Sequence, residues 1–187
     1  PIFKQLIDIV KPSRILEIGT FHGGLTLMLR DILDKSNLLE SIIRTYDIHN
    51  QEFLKPLVAN RKVEVFTDNL FNETYSSFKN NDKQKEIFDF IQQSGRTMVL
   101  CDGGCKKCEF NLIASLLKKD DIIMAHDYAP NTEYFDNHIK NKVWDWLEIQ
   151  DSDIKNSIEQ NHLSSFHEDL TQKAAWCCKI KSDICFH

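Results

Sequence analysis

Apolar and polar positions along this chain fall into short segments whose period switches between that of a helix and that of a strand. Ile2, Phe3, Leu6, Ile7 and Val10 recur at helical spacing, and Pro12 follows where such a helix would stop. RILEIG, residues 14–19, is an apolar run closed by glycine, after which Leu25, Leu27, Met28, Leu29, Ile32 and Leu33 resume the helical period. SIIRTYDI (41–48), VEVFTD (63–68), TMVLCD (97–102) and DIIMAHD (121–127) read as further strands. Helices are predicted over 51–60 and over 105–117, the latter with Phe110, Leu112, Ile113, Leu116 and Leu117 inward. Residues 72–94 carry NNDKQKE in their middle and read as one or two helices joined by an exposed loop.

After Pro130 the pattern predicts a helix around 134–149, with Phe135, Ile139, Val143, Trp144, Trp146 and Leu147 on its apolar side, and a short helix near 151–160. LSSFHE (163–168) and AAWCCKI (174–180) read as two late strands with no helix between them, hence an antiparallel pair at one sheet edge. Trp144, Trp146 and Trp176 are expected in the core. The fold class that results is α/β: a Rossmann-like, doubly wound, mostly parallel sheet of seven strands with an antiparallel edge strand and helices on both faces. One domain over 1–187 is expected from length, and 42% hydrophobic composition supplies a substantial core.

Charge changes the picture only by exclusion. Lys and Arg number 23 against 28 Asp and Glu, a net charge of −5, and the basic residues are scattered, so neither nucleic acid nor an anionic membrane is expected as a partner. No apolar run approaches the roughly 20 residues of a spanning helix. Pro1 is not a natural start, so the chain is read as trimmed at its N-terminus. Six cysteines, two of them adjacent (Cys177, Cys178), are expected as reduced thiols, which favours a cytoplasmic location.

The chemistry is expected at the strand ends, because open α/β sheets bind ligands beyond the carboxyl edge. EIGTFHGG after the first strand lacks the G-x-G-x-x-G spacing that cradles a pyrophosphate. Its E-x-G-x-x-x-G pattern lets backbone approach a ligand while Glu17 supplies a negative group, which suits a cationic amino-acid ligand. Asp47, at the end of the second strand, is placed to accept both hydroxyls of a ribose. An adenosine with a positive tail, S-adenosylmethionine (SAM), meets both conditions.

With EIGTFHGG, CDGG (101–104) and HDY (126–128) in hand, residues 13–180 resemble class I SAM-dependent methyltransferases. They are most similar to metal-dependent small-molecule O-methyltransferases of the catechol and macrolide-sugar types. The resemblance implies methyl transfer to a hydroxyl of a small-molecule acceptor, a sugar or catechol-like ring, and dimers are frequent among such enzymes. It implies cofactor contacts from Glu17, Gly19, Thr20, Phe21, Gly23, Asp47, Asp68, Asn69 and Asp102. It also implies a divalent metal (Mg, Mn or Fe) on Asp102, His126 and Asp127, with His126 departing from the family's usual carboxylate; imidazole suits manganese or iron better than magnesium. Asp102, Lys106 and His126 are the catalytic candidates, although the family's general-base lysine position is Cys105 here.

Other readings compete. Asp102 and Asp127 could cap helices or bond substrate directly while His126 packs in the core, and His22 is expected exposed. Cys101, Cys105 and Cys108 have the C-x-x-x-C-x-x-C spacing of a radical SAM cluster loop, but they begin in the fourth strand with less than half the chain to come. Cys101 moreover alternates with Asp102 across the strand and faces away. A zinc site from Cys105 and Cys108 with Cys177, Cys178, Cys185 or His187 is a minor alternative. A relative with different chemistry, hydroxylase-like, or a non-catalytic SAM-binding protein would share the fold.

Overall fold

A computed structural model describes residues 2–182. Pro1 and the zinc candidates Cys185 and His187 lie outside the described residues. Seven strands form one sheet in the order β3-β2-β1-β4-β5-β7-β6. They are β1 Arg14–Ile18, β2 Ile42–Asp47, β3 Val63–Thr67, β4 Thr97–Cys101, β5 Ile122–Ala125, β6 Leu163–Ser165 and β7 Cys177–Lys181. The first five are mutually parallel, whereas β7 runs antiparallel to both β5 and β6. The sheet is thus the expected one, with β6 as the edge.

Alternation along each strand divides the core in two. Ile15, Ile43, Met98, Leu100, Ile122, Met124 and Cys178 meet the apolar faces of α1 (Ile2–Val10) and α2 (Gly24–Lys35). Their neighbours Leu16, Ile18, Val99, Cys101, Ile123, Ala125 and Cys177 meet those of α4 (Asn81–Gln92), α5 (Lys106–Ile113) and α7 (Asp151–Gln160). A period of two under continuous hydrophobicity is what a strand covered by helices on both sides requires. No helix among the described residues is long and apolar enough to cross a membrane.

Four expectations need correction. The helix over 51–60 shrinks to α3, Lys55–Val58, with Pro56 in its opening turn and Asn60 beyond it at φ 64°. NNDKQKE is no loop: Asn80 caps α4 by accepting Lys83 N at 2.9 Å, and the polar run is that helix's outer face. The helix over 134–149 is confined to α6 (Thr132–Tyr134) and a wider π turn, Phe135–Ile139. Phe135 and Ile139 enter a small core against which Leu147 packs, and Ile149 reaches the main one, but Val143, Trp144 and Trp146 are exposed, whereas Trp176 is buried as expected. Between β6 and β7, finally, stand α8 (Glu168–Thr171) and a short 3-10 turn, Gln172–Ala174.

Candidate active site at the carboxyl edge of the sheet

Strand register builds the site. Ile18 pairs with Tyr46 and with Cys101, and Cys101 with Ala125, so the next residues, Gly19, Asp47, Asp102 and His126, emerge in one row across four strands. Connections leave β1 and β4 toward opposite sides of the sheet, which opens a crevice between them. A cavity of about 440 Å³ fills it, lined from the β1–β3 side by Gly19, Phe21, Asp47, His49, Asp68 and Asn69. Tyr75, Gly104, Lys106, Glu109, His126 and Trp144 are among the residues that complete the wall.

Gly19 is needed there for two reasons. Its φ is 92°, and a Cβ on it would stand 2.1 Å from the Asp102 carbonyl oxygen. The bare backbone therefore lets the ends of β1 and β4 touch. Asp47 takes the Phe21 N–H at 2.7 Å and the His49 N–H at 2.8 Å, so both its oxygens are oriented by backbone while the group stays half-buried at the cavity rim. Asp68 is paired with Lys83 at 2.6 Å and Lys79 at 3.3 Å, and the Lys83 bond holds its carboxyl below the usual range. The Asn69 side-chain oxygen accepts Phe71 N.

Three cofactor candidates do not line the cavity: Glu17, Thr20 and Gly23. Glu17 is wholly buried beneath the turn, where Thr26 donates to its Oε2 and Oε1 has no partner. Burial pushes its carboxyl up to about 7 despite the Thr26 and Thr45 hydroxyls. The Thr20 and Thr45 hydroxyls bond each other at 2.6 Å, and Gly23, at φ 71°, lies against Leu54. These residues shape the turn from below, in place of the direct negative group expected of Glu17. His22 is exposed and packs on Phe21.

Asp102, His126 and Asp127 do come together, but within a hydrogen-bonded network in which Asp127 is ion-paired to Lys106. His126 Nδ1 lies 3.2 Å from Asp102 Oδ1 and 3.3 Å from Asp127 Oδ1, and its ring stacks on Trp176. With Nδ1 committed to carboxylates, Nε2 is the nitrogen left for the cavity. Asp127, at φ 57°, also accepts the Trp144 indole N–H and holds the Lys106 ammonium at 2.9 Å from Oδ2. Lys106 Nζ is shared with Glu148 Oε2 and the Gly103 carbonyl, both at 3.1 Å, which uses all three of its donors. Burial works against that charge, but Asp127 and Glu148 outweigh it and hold the ammonium above its ordinary range. A general base must be deprotonated, so Lys106 suits the role of fixed cation instead.

The donor set does not fit a metal as it stands. Among the described residues, no three of His, Cys, Asp and Glu are grouped to hold one, and a cation on Asp127 would first have to displace the Lys106 ammonium. Cys105 and Cys108, expected as thiols, are joined in a disulfide across the first turn of α5, whereas Cys101, Cys177 and Cys178 are free and buried. Sequence reasoning missed Glu109 and Glu148. Glu109 is buried, accepts Gly103 N and Cys105 N at 3.1 Å each, and is pushed by burial up to about 7. An acid in the first turn of the helix after a glycine turn was its available signal; Glu148, in an irregular segment, offered none.

No protein family and no curated protein matches this chain. Among solved structures it resembles the apo structure of CmcI-N160, with a TM-score of 0.65 at 8% identity over 97% of this chain and 70% of that one. CmcI-D160, solved with Mg and SAM, superposes with a TM-score of 0.57 at 11% identity, over 96% and 69% of the two chains. The O-methyltransferase TomG from Streptomyces achromogenes, solved in complex with SAM, gives 0.50 at 13% identity, over 97% and 78%. The likeness is one of fold, and it covers nearly the whole chain.

Proposed function

We propose that this protein is a SAM-dependent methyltransferase acting on a hydroxyl of a small molecule, with His126 as general base. The observation that carries the reading is the single cavity in which the oriented Asp47 carboxylate and the bare Gly19 turn face the His126–Asp102 pair. Solved structures of this fold hold SAM, and the residues present suit it. Asp47 would accept the ribose hydroxyls, Gly19 and Phe21 would line the methionine end, and Asn69 with Asp68 would flank adenine. The carboxylates of Asp47 and Asp102 around the cavity complement a sulfonium cation.

When bound, SAM supplies an already activated methyl group, so this chain has to position the acceptor oxygen and remove its proton. Asp102 accepts from His126 Nδ1 and so fixes the ring's orientation, leaving Nε2 to take the hydroxyl proton. The imidazolium that forms is stabilised by Asp102 and Asp127 on its other side. Lys106, bridging Asp127 and Glu148, holds the floor of the site in place.

Calorimetric titration of chelator-treated protein with SAM is the first test, followed by methyl transfer to a panel of catechols and sugars with chelator present. His126→Asn is expected to lower kcat by roughly 10²–10⁴-fold while leaving SAM affinity unchanged. Absence of SAM binding would overturn the reading. Activity only after addition of magnesium, manganese or ferrous iron would replace the base by a metal on Asp102, His126 and Asp127.

A further inference from the structure

The Cys105–Cys108 disulfide has no part in the chemistry above, yet it brackets a segment that lines the same cavity. Cys105 is the N-cap of α5 and Cys108 its third helical residue, with Cα atoms 5.3 Å apart. Those are the two positions that a capping serine or threonine bridges by a side-chain hydrogen bond to backbone. Cys105 makes no such bond; the Sγ–Sγ bond joins the same two positions covalently instead. Gly103 and Gly104 immediately before it, and Lys106 within its loop, all line the cavity. Both half-cystines are half-buried, so a small reductant can reach them.

We infer that Cys105–Cys108 is a reversible thiol–disulfide modification site that sets the order of the Asp102–Lys106 wall, and through it the affinity of the cavity for its ligand. A small-molecule dithiol opens it by passing two electrons and two protons to the pair. The Sγ–Sγ bond breaks, two protein thiols form, and the dithiol closes its own disulfide. A thiol is a weak hydrogen-bond acceptor, so the reduced Cys105 does not replace the lost covalent tether, and the first turn is left to the Glu148 carboxylate on Lys106 N at 2.7 Å and the Glu109 carboxylate on Cys105 N at 3.1 Å. The first turn of α5 then loosens, together with the hold of Lys106 on Asp127 and Glu148. The identity of the ligand rests on the SAM reading; the redox response of the wall does not.

The test is amide hydrogen exchange over residues 103–109 of the ligand-free protein, oxidised and after treatment with dithiothreitol, with the thiol count read by alkylation and mass spectrometry. Protection is expected to fall roughly five-fold on reduction, with SAM affinity falling by a similar factor. Cys105→Ala with Cys108→Ala should behave as the reduced protein with or without reductant. Cys105→Ser with Cys108→Ala restores a hydrogen-bonding cap and should behave as the oxidised one. Equal exchange in the two redox states, or a disulfide that dithiothreitol does not open, overturns the inference. Failure of every form to bind SAM while exchange still responds would tell against the proposed function alone.

Discussion

Lys106 Nζ lies 2.9 Å from Asp127 Oδ2, at the strand end where resemblance to metal-dependent enzymes places a divalent cation. One positive charge thus already stands beside the carboxylate, supplied by the chain itself, and Glu148 shares it from an irregular segment. The pair links α5, the end of β5 and the Trp144 segment. Its effect is to make the site's floor a fixed network.

Removing that cation should be costly. The Lys106 and Asp127 side chains are 11% and 6% exposed, so solvent screens the pair little. Lys106→Met leaves Asp127 and Glu148 facing each other unneutralised, and a loss of about 3 kcal/mol in urea unfolding is expected. Lys106→Met combined with Asp127→Asn removes one of those charges and should recover part of the loss. If the single variant unfolds at the wild-type midpoint, the network carries no stability.

Asp47 offers a test of ligand binding that is separable from folding. Its oxygens are aimed by the Phe21 and His49 N–H groups, and hydrogen bonds to a charged acceptor contribute about 1.5–3 kcal/mol. Asp47→Ala is therefore expected to weaken SAM by roughly 10–100-fold in calorimetry. Asp68→Ala should weaken it less, because Lys79 and Lys83 already neutralise that carboxylate. The reverse ranking would place the ribose elsewhere.

The two positive-φ glycines of the first turn should separate in their tolerance. A Cβ at Gly19 meets backbone, the Asp102 oxygen at 2.1 Å, which cannot move without parting β1 from β4. At Gly23 the obstacle is the Leu54 side chain at 2.7 Å, which can rotate away. Gly19→Ala is expected to lower stability by about 2–3 kcal/mol and Gly23→Ala by about 1 kcal/mol, in thermal or urea melts.

Much of this was legible in the sequence because it depends on local rules. Continuous apolar runs ending in Gly or Asp gave strands β1 to β5 and their ligand-facing ends, and register then carried Gly19, Asp47, Asp102 and His126 into one row. What the sequence did not disclose depends on contacts made at long range. Residues 134–149 have a helical apolar period, but Phe135 and Ile139 enter only a small core with Ala129 and Ala175, and the main core takes just Ile149 at the far end. Trp144 turns instead to Asp127. Nor could spacing show that Glu17 sits below the turn, or that Lys106 would pair with Glu148, 42 residues away.

The buried carboxylate of Glu17 makes stability fall toward alkaline pH. Burial raises it from 4.5 to about 7, with the neighbouring Asp102 and Asp47 charges adding to the effect. The folded protein therefore binds this proton more tightly than the unfolded chain does. Its contribution is complete below pH 4.5 and is lost as pH rises through about 7. Glu109, also raised to about 7 by burial, acts in the same sense. Asp68, held low by the Lys83 bond, acts in the opposite one, with its contribution lost as pH falls through its folded pKa. Glu17→Gln keeps an acceptor for Thr26 without a proton to lose. Between pH 5 and pH 8 the wild type is expected to lose about 2–3 kcal/mol more than the variant in urea unfolding. The variant should be the more stable of the two at pH 8, and parallel pH profiles would show instead that Glu17 is ionised without penalty in the folded protein.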